Sequence, residues 1–246
     1  MNIHKLGRIG HGHFGTALEK HMHGITSHQL DIAHSREESP IIASNNSDLV
    51  MMVKPDHVGA ALRQIRDSLE DSLIISFSAA VPTDWMQSIV GDKAQVVRAM
   101  ADIDFKQIMC QDDNRSAKIL SGLSEYPLIQ SSNERDLDAM TALIGCLPGI
   151  AAWIFKNHAT DADRWLEIWT AMTNETLGIP HEVTRSIISK AMKDGNFDKK
   201  IAAVATPGGI TAAIVEGLNQ GERSHQILYQ RGMDRIDAIA RSAMKH

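Results

Sequence analysis

Residues 3–9 read IHKLGRI, and the chain continues Gly10-His11-Gly12-His13-Phe14-Gly15. The first run predicts a strand, and residues 14–23 (FGTALEKHMH) predict a helix. A strand that turns through G-x-G-x-x-G into a helix is the fingerprint of a dinucleotide-binding unit. Each glycine has its own reason there. The first allows the tight turn, the second lets backbone approach a pyrophosphate, and the third lets helix and strand pack closely. The anion then sits on N–H groups at the positive end of the helix. The competing reading is a glycine-rich turn that holds nothing; the strand–turn–helix order close to residue 1 favours the nucleotide.

Working outward, apolar runs near 29–34, 48–53, 72–77 and 94–99 predict further strands, with helical patterns between them, notably over 56–70. Such alternation builds a parallel sheet covered by helices on both faces. After residue 150 the pattern changes. Trp165, Leu166, Trp169 and Met172 recur at helical spacing, and further helices are expected over 180–192, 210–219 and 222–244, with no strand signal. The expected organisation is α/β: a Rossmann-type dinucleotide-binding domain over 1–153, then an all-helical dimerisation domain over 154–246.

Composition narrows the function. The chain has 246 residues, 25 Lys plus Arg against 30 Asp plus Glu, and a net charge of −5. No basic tract marks a nucleic-acid or anionic-membrane surface. Aromatics are 4%, too few for a base-stacking platform. The two cysteines fit no metal spacing and no disulfide framework. His11, His13, His21 and His23 lie at opposite ends of one helix and cannot share an ion, so no metal is expected. No stretch is read as a membrane span and no leader is read at the start, so the expected setting is cytoplasmic.

The second strand bears on the choice of nucleotide. An acid at its end would bind the ribose 2′-OH of NAD. Here it ends His34-Ser35-Arg36, with Asp31 inside the strand. A hydroxyl and a guanidinium suit a 2′-phosphate, so NADP is favoured over NAD. Val53-Lys54-Pro55 ends the next strand, where ligand crevices form, and is expected to flank the nicotinamide ribose. Near the C-terminus, Thr206-Pro207-Gly208-Gly209-Ile210-Thr211 opens a helix. It reads either as an N-cap at Thr206 with Pro207 at the first helical position, or as a small-anion site with Thr211 beside it.

Taken in order, the glycine fingerprint, Val53-Lys54-Pro55, Val97-Arg98-Ala99-Met100 and the Pro207-Gly208-Gly209-x-Thr211 helix start resemble the pyrroline-5-carboxylate reductase family over most of the chain. The resemblance implies a Rossmann domain followed by a helical domain that dimerises or forms larger rings. It implies hydride transfer from NADPH to a cyclic imine, as in proline biosynthesis. Cofactor contacts would come from Gly10, Gly12, His13, Phe14, Gly15, Ser35, Arg36, Val53, Lys54 and Pro55. Substrate contacts would come from Gly208, Gly209 and Thr211, with Thr211 in the catalytic role. The expected partners are thus a small imine substrate and further copies of the chain, with no nucleic acid and no membrane.

The chain departs from the family on the substrate side. Ala101-Asp102-Ile103-Asp104 stands where the family has Pro-Asn-Thr-Pro. The family's Ser-Gly-Ser-Gly-Pro-Ala-Tyr segment is replaced by residues 156–164 (KNHATDADR), and Ala80 stands in a glycine place. The alternative is therefore a diverged nucleotide-binding protein that keeps the fold without reductase activity. A β-hydroxyacid dehydrogenase is disfavoured, because Lys156 has no glycines around it.

Overall fold

The computed structural model describes residues 4–25, 28–193 and 195–245. The chain divides into two compact units. The first runs to Leu137 and regains the chain from Ile239, and the second is Asp138–Ala238. The boundary expected after residue 153 falls inside a helix, because one continuous helical run carries the chain from the first unit into the second.

Among the described residues of the first unit, seven strands form one sheet: β1 (His4–Ile9), β2 (His28–Ile32), β3 (Asp48–Met51), β4 (Ser72–Ser76), β5 (Ala94–Ala101), β6 (Ile108–Gln111) and β7 (Ile129–Ser131). Their order is β2-β1-β3-β4-β5-β6-β7. Every pairing is parallel except β5 with β6. Residue 3, expected to open the first strand, lies outside the described residues. The strands β6 and β7 carry little sequence signal: four and three residues long, they leave no room for an alternation to show.

Helices cover both faces, and successive strand residues divide between them. Leu49 and Met51 join one apolar cluster and Val50 and Met52 the other. Burial on both sides explains the continuous apolar stretches 49–51 and 73–75 within β3 and β4. The helix α1 (His13–Met22) lies on the face of Leu6, α2 (Ser39–Asn45) follows β2, and α3 (Val58–Ile65) covers the face of Leu49. The helices α4 (Thr83–Val90), α5 (Asn114–Ser121) and α6 (Glu134–Met140) complete this unit's sequence of elements.

Among its described residues the second unit has helices joined by turns and no strand: α7 (Leu147–Asn157), α8 (Ala162–Leu177), α9 (His181–Met192), α10 (Phe197–Val204), α11 (Ile210–Asn219) and α12 (His225–Ala243), whose last turns belong to the first unit. The helix α8 ends where Gly178 takes a left-handed conformation at φ 66°. Trp169, fully buried, donates from its indole nitrogen to the Leu143 carbonyl at 2.9 Å. That places the Trp165–Trp169 stripe largely in the core, with the two rings stacked at 5.3 Å.

The helical run Glu134–Asn157, made of α6, a π-helical turn (Thr141–Gly145) and α7, is long and apolar enough to cross a membrane by length and composition. This corrects the expectation that no stretch reaches that length. Of its most apolar window, 89% is buried inside the fold, and core burial accounts for the composition.

Candidate functional site

A cavity of about 350 Å³ opens at the C-terminal ends of β1, β2 and β3, where the strand order reverses. Crevices at such switch points are where doubly wound sheets bind ligands. The glycine loop forms one wall. Gly10 sits at φ 105°, and a Cβ there would lie 2.6 Å from the Met52 carbonyl oxygen. A Cβ on Gly15 would lie 2.9 Å from the Gly10 carbonyl oxygen. Both glycines are required by the fold itself. Gly12 is different: a Cβ there would come no closer than 4.0 Å to the protein. It caps α1 at φ −78°, a conformation open to any residue, and no side chain caps the helix. The first-turn N–H groups of α1 are thus left for an acceptor from outside.

The opposite wall is the end of β2. Ala33, His34, Ser35 and Arg36 line it, with Ser39 from α2. The Ser35 hydroxyl accepts from the Glu38 backbone N–H at 3.3 Å and hydrogen-bonds the Glu37 carboxylate; that acid's own backbone N–H and then this bond hold its pKa down. Glu38 turns its carboxylate onto the His34 N–H at 2.8 Å and is absent from the lining. Asp31 is likewise occupied elsewhere, with Lys5 at 2.8 Å and Asn46 at 3.3 Å. Gln64 of α3 donates to the Arg36 carbonyl at 2.6 Å and fixes the turn. Val53 and Lys54 form the floor with His57. The Val53 carbonyl accepts from the Ser78 hydroxyl at 2.8 Å, which ties this segment to the end of β4.

Among the described residues, the lining contains Arg36, Lys54 and three histidines, His11, His34 and His57, and no carboxylate. In a chain of net charge −5, this is a local excess of positive charge suited to a polyanion.

Of the cofactor residues expected from sequence, Gly10, Gly12, Ser35, Arg36, Val53 and Lys54 line the cavity together. His13 and Gly15 lie within α1, and Pro55 opens the short helical turn Pro55–His57, all off the cavity wall. The Phe14 ring packs into the core, 4.9 Å from the Phe105 ring and 5.9 Å from that of Phe77. Sequence reasoning passed over His11, His34, His57 and Gln64 as lining residues. Only the offset of each from a strand end marks them.

In the second unit, α11 begins at Ile210 behind Gly209, so Thr206 is not the N-cap. Instead the Thr206 carbonyl accepts from the Gly209 N–H at 2.8 Å, closing a turn. Gly208 is left-handed at φ 72°, and a Cβ on Gly209 would lie 2.7 Å from the Thr206 hydroxyl. Thr211 is buried, and its hydroxyl bonds the Cys146 thiol, whose pKa burial pushes up to about 12. Cys110, also buried and free, is pushed up to about 11 by the same cause. Neither cysteine is a nucleophile at neutral pH.

On the substrate-side segments, Asp102 is buried and accepts from the Gln107 and Asp104 N–H groups at 2.7 and 3.1 Å. Its carboxylate braces a turn, and burial shifts its pKa upward. Asp161, Asp163 and Arg164 are exposed around the start of α8.

No family model matches the chain. It is 22% identical over 202 residues to pyrroline-5-carboxylate reductase 2 of Bacillus subtilis (strain 168), covering 74% of this chain and 67% of that protein. A crystal structure of Plasmodium falciparum pyrroline carboxylate reductase with NADP bound superposes with a TM-score of 0.59 at 19% identity, over 98% of this chain and 99% of that one. The chain is similar to pyrroline-5-carboxylate reductases and has their fold. The reductase structure from Coxiella burnetii gives a TM-score of 0.55 at 15% identity, over 98% and 99% of the two chains. A Rossmann-type unit followed by a helical unit is common to all three.

Proposed function

We propose that the protein is an NADP-dependent oxidoreductase that reduces the C=N bond of a cyclic imine such as pyrroline-5-carboxylate. The observation that carries the nucleotide half is Gly12. The protein leaves open space where its side chain would be, so what approaches there comes from outside. Arg36 in the cavity lining, with Asp31 engaged by Lys5, supports a phosphorylated ribose over an unmodified one. The solved reductase with NADP bound is consistent with that choice.

In this reading, the N–H groups of His13, Phe14 and Gly15 at the start of α1 hold the pyrophosphate. Arg36 would offer its planar fork to the 2′-phosphate, and Ser35 would turn its O–H there from Glu37. Val53 and Lys54 would flank the nicotinamide ribose, with Pro55 fixing the turn behind them. When bound, the nicotinamide supplies the hydride; the chain supplies position and polarity. Thr211, with Gly208 and Gly209, is proposed for the substrate side. A homodimer through the second unit belongs to the same reading. The helices α8 and α12 leave Ile168 and Ile227 44% and 50% exposed, and a monomer in sedimentation would remove that part.

The direct test is NADPH oxidation by purified protein with pyrroline-5-carboxylate and related cyclic imines. Turnover supports the reading, and none with any of them overturns the substrate half. A second reading, nucleotide binding without reduction, is favoured by two features. Thr211 spends its hydroxyl on Cys146, and residues 156–164 lack the family's glycines, proline and tyrosine. Tight NADPH binding with no turnover would select it.

A further inference from the structure

The strand β1 carries a charge at a core position. Arg8 shares the parity of Leu6, which faces α1, and its side chain is fully buried. A guanidinium withdrawn from water needs partners. Its Nη1 donates to the Gly15 carbonyl and lies 3.4 Å from Glu19 Oε2, while its Nη2 lies 2.8 Å from Nδ1 of His11. Burial lowers its pKa, yet the group stays charged at any working pH.

Arginine has donors and no acceptor. Nδ1 of His11 must therefore accept, and the ring proton sits on Nε2. An imidazole whose tautomer is set from one side is a fixed donor on the other. The His11 ring meets the His34 ring edge-on at 5.6 Å, and both line the cavity. His11 thus stands between the start of α1 and the end of β2, the two places where the proposed cofactor carries phosphate. Ser35 and Arg36 follow His34 directly, so the His11 ring is turned towards the β2 end.

We propose that His11, held in its Nε2–H form by Arg8, is a specificity-determining residue whose N–H donates to the 2′-phosphate of NADP. Arg8 is a positioning residue that acts through His11. This rests on the dinucleotide reading of the cavity.

The test is calorimetric titration of the wild type, His11→Leu and His11→Gln with NADPH and with NADH. A hydrogen bond to a charged group accounts for roughly a tenfold change in affinity or more. His11→Leu is expected to weaken NADPH about tenfold and to leave NADH within about threefold. His11→Gln is expected to restore most of the NADPH affinity, since its carbonyl can accept from Arg8 and its amide can donate. Equal loss for both nucleotides, or no loss, overturns the proposal and leaves the cofactor reading standing. A wild type that binds neither nucleotide overturns both. Nitrogen NMR of the wild-type histidines reads the tautomer directly. A proton on Nδ1 of His11, or an average of the two forms, refutes the role given to Arg8.

Discussion

A methyl group added at Gly10 would meet the Met52 carbonyl oxygen at 2.6 Å, on a backbone at φ 105°. Gly10→Ala is therefore expected to cost roughly 3 kcal/mol of stability. The same change at Gly12 meets open space at an ordinary φ. Gly12→Ala should leave Tm within about 2 °C of the wild type and weaken NADPH about tenfold or more. Thermal melts and titrations of the two variants separate the roles; a Gly12→Ala protein that binds normally would remove the pyrophosphate from that loop. Ala80 presents the converse case. It holds φ 68°, a conformation that disfavours a Cβ by about 1–2 kcal/mol. Ala80→Gly should leave Tm unchanged or raised, while Ala203→Gly in the exposed face of α10 should cost about 1 kcal/mol. A clear loss at Ala80 would contradict the strain argument.

Among the elements, the strands and the glycine loop were legible because each carries its own pattern. Leu49 to Met52 alternate between two buried faces, and Gly10 and Gly15 answer local sterics. The short strands β6 and β7 and the helices α2 and α10 were not, because few residues carry few periods. Arg8 is, with Lys5, one of two full charges in β1, and its partners depend on how α1 packs over β1, which no local pattern encodes. The same holds for His225 at the start of α12. It is buried, its Nε2 lies 3.0 Å from the Trp165 carbonyl, and its ring is 4.2 Å from the Trp165 ring. Burial lowers its pKa below the ordinary 6.5, against a smaller opposing effect of that carbonyl. The unfolded chain thus takes up a proton near pH 6.5 that the folded one refuses. Stability is full above that pH and falls as the pH drops below it towards the folded value. His28, lowered by burial and then by His4, shifts the same way in the first unit. Melts at pH 7.5 and 5.5 should show a lower Tm in acid, and His225→Phe should flatten that fall. An unchanged pH dependence in the variant would exclude His225 as its source.

At the scale of the molecule, an anionic chain keeps one cavity free of carboxylates and rings it with Arg36, Lys54 and three histidines. The two units divide what the sequence resemblance joined. The Rossmann-type unit holds the residues proposed for the nucleotide, six of which share that cavity. The helical unit holds Thr211, Gly208 and Gly209, whose glycines its own turn already requires. The chain therefore argues more strongly for its cofactor than for its substrate. The cavity at the ends of β1 to β3 is proposed to bind a 2′-phosphorylated dinucleotide. Calorimetric titration of the wild type with NADPH and NADH tests it most directly. One NADPH is expected to bind per chain, about tenfold or more tightly than NADH; equal affinity, preference for NADH, or no binding of either would overturn the assignment.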